Sequence, residues 1–188
     1  MDTLKQNLSF LEIISKSGSG DGAIGHTEAK SYLRHKHPMI GIDRIEDHKF
    51  TEGWVHAIRS ISSSHNVFAG HFEDLAIYPA TTLLQDVVQV CILLFIGSTR
   101  PLKENEITVV SSMNTKIGHP IPPGSLLDIC VWTEKLKNNH INISFEVRMK
   151  DFPFYEEKNK YGVDFSSALI GNIELYRLKK NFYEGIGL

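Results

Sequence analysis

Residues 79–97 read PATTLLQDVVQVCILLFIG, and this stretch decides the fold. Pro79 suits the first turn of a helix, where its missing N–H is no loss, and no further proline interrupts residues 81–96. Leu83, Leu84, Val87, Val88, Val90, Cys91, Leu93, Leu94 and Phe95 cover nearly the whole circumference at helical spacing. Such a helix is expected to be buried on most sides rather than to lie on a surface. Gly97 closes it, and Pro101 forbids its continuation. The longest uncharged apolar run, residues 87–99, is shorter than the roughly 20 residues a bilayer crossing needs. A protein core, not a membrane, is the expected surrounding.

Beyond residue 105 the apolar pattern changes to that of strands, predicted over 107–116, 126–135, 141–150 and 167–178. The segment Pro120-Ile121-Pro122-Pro123-Gly124 must be a turn or a crossing, because successive prolines cannot sit in a ladder. Asn138-Asn139 marks a hairpin turn, and residues 152–161 (FPFYEEKNKY) a long polar-aromatic loop. On the other side of the helix, Thr27–Leu33 is expected to be a short helix capped by Thr27 and stopped before Pro38. A strand starts within 40–45, and another covers 53–62. One buried helix with consecutive antiparallel strands is an α+β architecture.

The chain has 188 residues, enough for one domain with some excess at about 150 residues per domain. The expected division is an arm and Gly/Ser-rich linker over 1–29, a single domain over 30–180 and a tail over 181–188. Residues 8–14 are modestly amphipathic, which leaves open whether the arm docks as a helix, and residues 17–22 (SGSGDG) are expected to form a flexible break. Residues 20–25 (GDGAIG) match the GxGxxG pattern, with Asp43 near the spacing of a ribose-binding acid. A dinucleotide site needs a strand running into the first glycine and a full helix after it, and neither is present.

With 20 Lys+Arg against 22 Asp+Glu and a net charge of −2, the composition is not that of a nucleic-acid binder. Cys91 and Cys130 form no CxxC pair and are expected to be buried, reduced thiols. His35, His37, His119 and His140 have no carboxylate or cysteine at a spacing that completes a metal site, so they are expected to be solvated or bonded to backbone. Residues 1–6 lack the basic and apolar regions of a signal peptide, which makes a cytoplasmic location the expectation.

Three blocks carry chemistry. Gly70-His71-Phe72, then Ile77-Tyr78-Pro79-Ala80 and a helix bearing Gln85 and Gln89, resembles the active-site signature of FabZ-type 3-hydroxyacyl-[acyl-carrier-protein] dehydratases, roughly GHFPxxPVMPGVLxxEAxAQ. The block from His35 to Arg44 (HKHPMIGIDR) is similar to their HRYPFLLVDR, and Pro120 to Leu127 (PIPPGSLL) to their PVxPGDxL. The blocks stand in the family's order and spacing across residues 30–178. The resemblance implies a hotdog fold, in which an antiparallel β-sheet wraps one long central helix. It also implies a dimer, with sites built from both subunits, as a homodimer or as a heterodimer with a related hotdog subunit. A substrate carried on the phosphopantetheine arm of an acyl carrier protein follows, and no metal or organic cofactor.

By the same resemblance, His71 is the base that takes a proton from C2 of the 3-hydroxyacyl thioester. The amide at Ala80 polarises the thioester carbonyl, and Gly70, Phe72, Tyr78 and Pro79 complete substrate binding. The family's acidic glutamate falls on Gln85, whose amide can orient a hydroxyl or a water but cannot deliver a proton. Asp86, about 100° further round the helix, is the nearest carboxylate. The family's Pro-Gly after Phe72 is here Glu73-Asp74, and its later proline is Ala76. Gln85 and Asp86 therefore join His71 as candidate catalytic residues. The resemblance implies a dehydratase making a trans-2-enoyl thioester in fatty-acid or polyketide-type biosynthesis. The alternatives are a catalytically degenerate acyl-binding subunit of a heterodimeric dehydratase and a hotdog thioesterase. An acidic carrier protein calls for a basic rim at the cavity mouth, for which Lys30, Arg34, Lys36, Arg100 and Lys103 are the candidates.

Overall fold

In the computed structural model, which describes residues 8–150 and 167–181, the apolar stretch around residue 88 is a helix, α3 (Ala80–Gly97). It is preceded by α1 (Phe10–Lys16) and α2 (His26–Tyr32). Six strands complete the architecture: β1 (Arg44–Lys49), β2 (Trp54–Ser60), β3 (Glu106–Ile117), β4 (Leu126–Lys137), β5 (His140–Lys150) and β6 (Leu169–Lys179). They form one sheet in the order β1-β2-β4-β5-β6-β3, with every neighbouring pair antiparallel.

The sheet curls around α3. Alternation along each strand sends Val55 and Ala57 of β2, Leu127, Ile129 and Val131 of β4, Ile143, Phe145 and Val147 of β5, and Ile173 and Leu175 of β6 into one cluster with Leu83, Val87, Val90, Cys91, Leu94 and Phe95. Each such Val, Leu, Ile or Phe side chain contributes about 1.5–3 kcal/mol by leaving water. The length and mean hydropathy (1.8) of α3 would also suit a bilayer crossing, but most of it is enclosed by the sheet, as a core helix is.

The strand at 107–116 and the one at 126–135 follow each other in sequence but are not neighbours. Two strands, β5 and β6, lie between β3 and β4. The proline-rich segment is thus a crossing, held by Tyr78 N–H to the Ile121 carbonyl and by Gly124 N–H to the Ile61 carbonyl. The β4–β5 hairpin turns at Asn138–Asn139, with Lys137 opposite His140. The loop expected over 152–161 lies outside the described residues.

The arm docks as a helix. Phe10 and Ile13 of α1 pack on Trp54, Cys130 and Trp132, which the strands present on the sheet's outer face. The glycine run expected to be flexible is bound instead. Gly18, Gly20 and Gly22 each donate their N–H to the Asp47 carboxylate, at 2.6, 2.8 and 2.9 Å, and Ile24 then bridges to Ile45. A carboxylate with several lone pairs satisfies backbone donors that a loop otherwise leaves to water. Helix α2 starts one residue before Thr27, capped by Gly25 with no side-chain bond. Cys91 and Cys130 are buried free thiols, and burial pushes both well up from the ordinary thiol range.

Candidate active site

The residues just before α3 turn the chain so that His71, Ile77, Tyr78, Pro79, Ala80, Thr81 and Leu83 form one wall of a cavity of about 400 Å³. The rest of the lining comes from the end of β3 and the crossing, Ile117 to Ile121, with Ala168 and Leu169. The His71 ring donates from Nδ1 to the Ile77 carbonyl at 2.8 Å, because a carbonyl can only accept. That bond fixes the tautomer and leaves the Nε2 lone pair to act as a base. Pro79, at the N-cap of α3, offers no side-chain acceptor. The first amides of the helix, those of Ala80 and Thr81, therefore stand at the cavity as donors at the positive end of the helix dipole.

Behind this wall lies a buried polar cluster. The Tyr78 hydroxyl donates to Asp86 Oδ2 at 3.0 Å, and Arg59 Nε donates to the same oxygen at 3.2 Å. The guanidinium also reaches His65 Nε2, at 3.1 Å, and Asp43 Oδ1, at 3.4 Å. Burial pushes the Asp86 carboxyl up to about 7, although Arg59 and Tyr78 pull it down. Burial likewise pushes the Tyr78 phenol up to about 12. Asp86 packs so tightly on residue 41 that a Cβ there would fall 1.5 Å from its Oδ1, so only glycine fits at 41.

A FabA-like domain profile matches residues 33–151 of the chain. The chain belongs to the FabA-like family. Coronafacic acid dehydratase of Pseudomonas savastanoi pv. glycinea is 36% identical to this FabA-like chain over 121 residues, which is 64% of the chain and 73% of the relative. The 3-hydroxyacyl-[acyl-carrier-protein] dehydratase FabZ of Colwellia psychrerythraea (strain 34H / ATCC BAA-681) is 31% identical over 105 residues, 55% and 69% of the two chains. Among solved structures, the dehydratase heterocomplex ApeI:P from Xenorhabdus doucetiae superposes with a TM-score of 0.64 at 13% identity. The match covers 85% of this chain and 97% of that one. A hot-dog-like protein from Thermanaerovibrio acidaminovorans gives 0.52 at 14% identity, covering 74% and 95%. At these identities the structures speak for the fold, and the fold is a hotdog.

Within this FabA-like domain the cavity gathers His71, Tyr78, Pro79 and Ala80, as the sequence predicts, but not the other four candidates. Gly70 lies outside it, and a Cβ at that position meets nothing within 4 Å, so no crowding in the chain itself calls for glycine there. Phe72 is half exposed and stacks on the His71 ring, centroids 4.1 Å apart. Gln85 points away, donating to the Met39 carbonyl at 3.2 Å, while Gln89 donates to the same oxygen and accepts from Gly41 N–H. The block at 35–44 and the central helix thus meet through two glutamines. Asp86 reaches the cavity only by way of Tyr78.

The basic rim departs from the sequence expectation. None of Lys30, Arg34, Lys36, Arg100 and Lys103 lines the cavity. Arg34 and Arg100 sit in clefts at the far end of α3, about 27 Å away at 1.5 Å per residue. There Arg100 pairs with Glu106 at 2.7 and 2.8 Å, a bidentate bond that brings the Glu106 carboxyl down to about 2. The loop beside His71 carries exposed Glu73 and Asp74 instead. His119, expected to be a solvated or backbone-bonded histidine, has Nδ1 3.4 Å from the Pro120 carbonyl. It is buried in the cavity wall, and burial lowers its pKa.

Proposed function

We propose that this protein dehydrates a 3-hydroxyacyl thioester, carried on the phosphopantetheine arm of an acyl carrier protein, to the trans-2-enoyl thioester. The observation that carries this reading is the fixed His71 tautomer beside two uncapped helix amides in one cavity. His71 Nε2 takes the proton from C2, and the electron pair moves into the thioester carbonyl, whose oxygen the Ala80 and Thr81 amides hold. Collapse of that enolate re-forms the carbonyl, makes the C2–C3 double bond and breaks the C3–O bond. The departing hydroxide takes a proton and leaves as water. Asp86 is the chain's own carboxyl with a proton to give near neutrality, and the Tyr78 hydroxyl joins it to the cavity wall. The dehydratases among the relatives support the same chemistry.

A second reading rests on Gln85, which lies outside its own chain's cavity and cannot give a proton. In it, two subunits complete each site, and this chain is the acyl-binding half of a heterodimer whose other subunit supplies an acid. Exposed Val110, Met113 and Ile117 on β3, an edge strand, support pairing with a second hotdog subunit of either kind.

The test is incubation with a 3-hydroxyacyl carrier-protein thioester, and separately with its enoyl product, read by intact mass. Loss or gain of one water, abolished in His71→Ala, is the expected result. An intact thioester with no water exchange rejects the stand-alone enzyme and leaves the subunit reading, for which co-purification with a glutamate-bearing hotdog protein is the check. Release of the free carrier thiol would instead establish a thioesterase.

A further inference from the structure

A second cleft, of about 460 Å³, lies at the C-terminal end of α3, the opposite end of the helix from His71. Ile24, Leu93 and Ile96 give it an apolar lining, and its volume suits a small organic molecule. Asp21 and Ile24 belong to the GxGxxG run at 20–25, which takes no part in the dehydration scheme. Nor do His48 and Glu28, which line the same cleft.

The arm builds this site. With its amides bound to Asp47, the glycine run sets the Gly22 carbonyl 2.7 Å from His48 Nδ1. A carbonyl only accepts, so Nδ1 carries the proton and Nε2 of the neutral ring is an acceptor. The His48 residue is 8% exposed. Its Nε2 has no hydrogen-bond partner among the described residues yet is not sealed from solvent, so the cleft is where its partner comes from.

The chemistry of that partner follows from which groups are free. The basic side chains nearby are engaged: Lys49 bonds Asp21 at 2.6 Å, Arg100 holds both oxygens of Glu106, and Arg34 bonds the Lys103 carbonyl. Glu28 is an exposed carboxylate with no side-chain partner among the described residues. An anion entering here is repelled by Glu28 and finds an acceptor, not a donor, at His48. An ammonium has three donors and no acceptor, and the rings of Phe50 and Tyr32 attract a cation as well.

We propose that this cleft binds a small organic amine, its ammonium donating to His48 Nε2 with Glu28 as counter-charge and its apolar body on Ile24, Leu93 and Ile96. The site shares no lining residue with the His71 cavity and stands independently of the dehydratase reading.

The experiment is calorimetry on the full chain at neutral pH with 2-phenylethylamine, 2-phenylethanol and 3-phenylpropanoate. The amine is expected to bind at least about tenfold tighter than the alcohol or the acid. Glu28→Gln, at an exposed position, should weaken the amine roughly three- to tenfold and leave the alcohol unchanged. His48→Asn, whose amide can still donate to the Gly22 carbonyl but offers nothing in place of Nε2, should do the same with thermal unfolding near wild type. Binding of the amine should persist in His71→Ala. Equal binding of the three probes, or none, overturns the inference, as does a preference for the acid. Amine binding that ignores both Glu28→Gln and His48→Asn, or that disappears in His71→Ala, places the ligand elsewhere and overturns it too.

Discussion

Arg59 and Asp86 form an ion pair 3.2 Å long in which both side chains are almost wholly buried. Removing two charges from water is expensive, and one attraction rarely offsets it. The Asp86 carboxyl responds by holding its proton to about 7, against an ordinary 3.8. A folded-state pKa above the unfolded one gives stability that is fully present below the unfolded value and lost as pH rises through the folded one. Thermal unfolding followed from pH 4 to 8 is therefore expected to show stability falling across about 4 to 7. Asp86→Asn, which cannot ionise and keeps an acceptor for Arg59, should flatten that slope. Asp86→Ala, which strands a buried guanidinium, should cost about 3–5 kcal/mol. Equal slopes in wild type and Asp86→Asn would place the pH response elsewhere.

Asp47 predicts the opposite slope. Although burial pushes its carboxyl up, the N–H groups of Gly20, Gly22, Gly18 and His48 outweigh that and hold it below the ordinary value of 3.8. A depressed carboxylate contributes stability above its unfolded pKa and loses it as pH falls through the folded one, so this contribution disappears only in strong acid. Asp47→Ala is expected to cost roughly 1–3 kcal/mol by leaving several backbone donors unpaired. Hydrogen exchange should then accelerate across residues 18–24 far more than in β4. Unchanged protection of those amides would mean that α1 alone anchors the arm.

The contrast between these two aspartates shows what the sequence could and could not convey. The central helix was legible because nine apolar residues around one helix have no reading but burial, and the strands because their period is two. Tyr78, Pro79 and Ala80 are contiguous with the helix start, and His71 was legible through the Gly70-His71-Phe72 block that the resemblance rests on. The glycine run was not, since its order comes from Asp47, more than 20 residues away, and local composition reports only the cost of ordering glycines. The Arg100–Glu106 pair and the far-end position of Arg34 depend on where α3 ends in space. The place of His119 in the cavity wall was not legible, since the neighbouring Gly118 N–H bonds the Ala168 carbonyl, 50 residues away in the chain.

The free edge of the sheet gives a prediction about assembly. Ile117 is 62% exposed on β3, whose outer edge pairs with no strand among the described residues. If a second hotdog subunit covers this edge, Ile117→Lys, Met113→Lys or both should shift the protein toward monomer in light scattering at micromolar concentration. Thermal stability of the monomer should change by less than about 0.5 kcal/mol, because exposed side chains are being replaced. An unshifted mass would remove β3 as the interface.

Gln85 permits the sharpest chemical prediction. Its amide nitrogen donates to the Met39 carbonyl at 3.2 Å. In Gln85→Glu a carboxylate would face that carbonyl oxygen without a donor, a repulsion that favours the protonated form. The substitution therefore costs about 1 kcal/mol of stability and creates a carboxyl that keeps a proton near neutrality. Such a group at this position would be a second acid beside Asp86, and general acids contribute roughly 10²–10⁴-fold. The dehydration rate of Gln85→Glu is expected to exceed wild type at least tenfold, while Gln85→Ala stays at or below it. That result would mean that copies of this chain complete one another's sites. No gain in Gln85→Glu, with the fold intact by circular dichroism, would leave Asp86 and Tyr78 as the route for the proton.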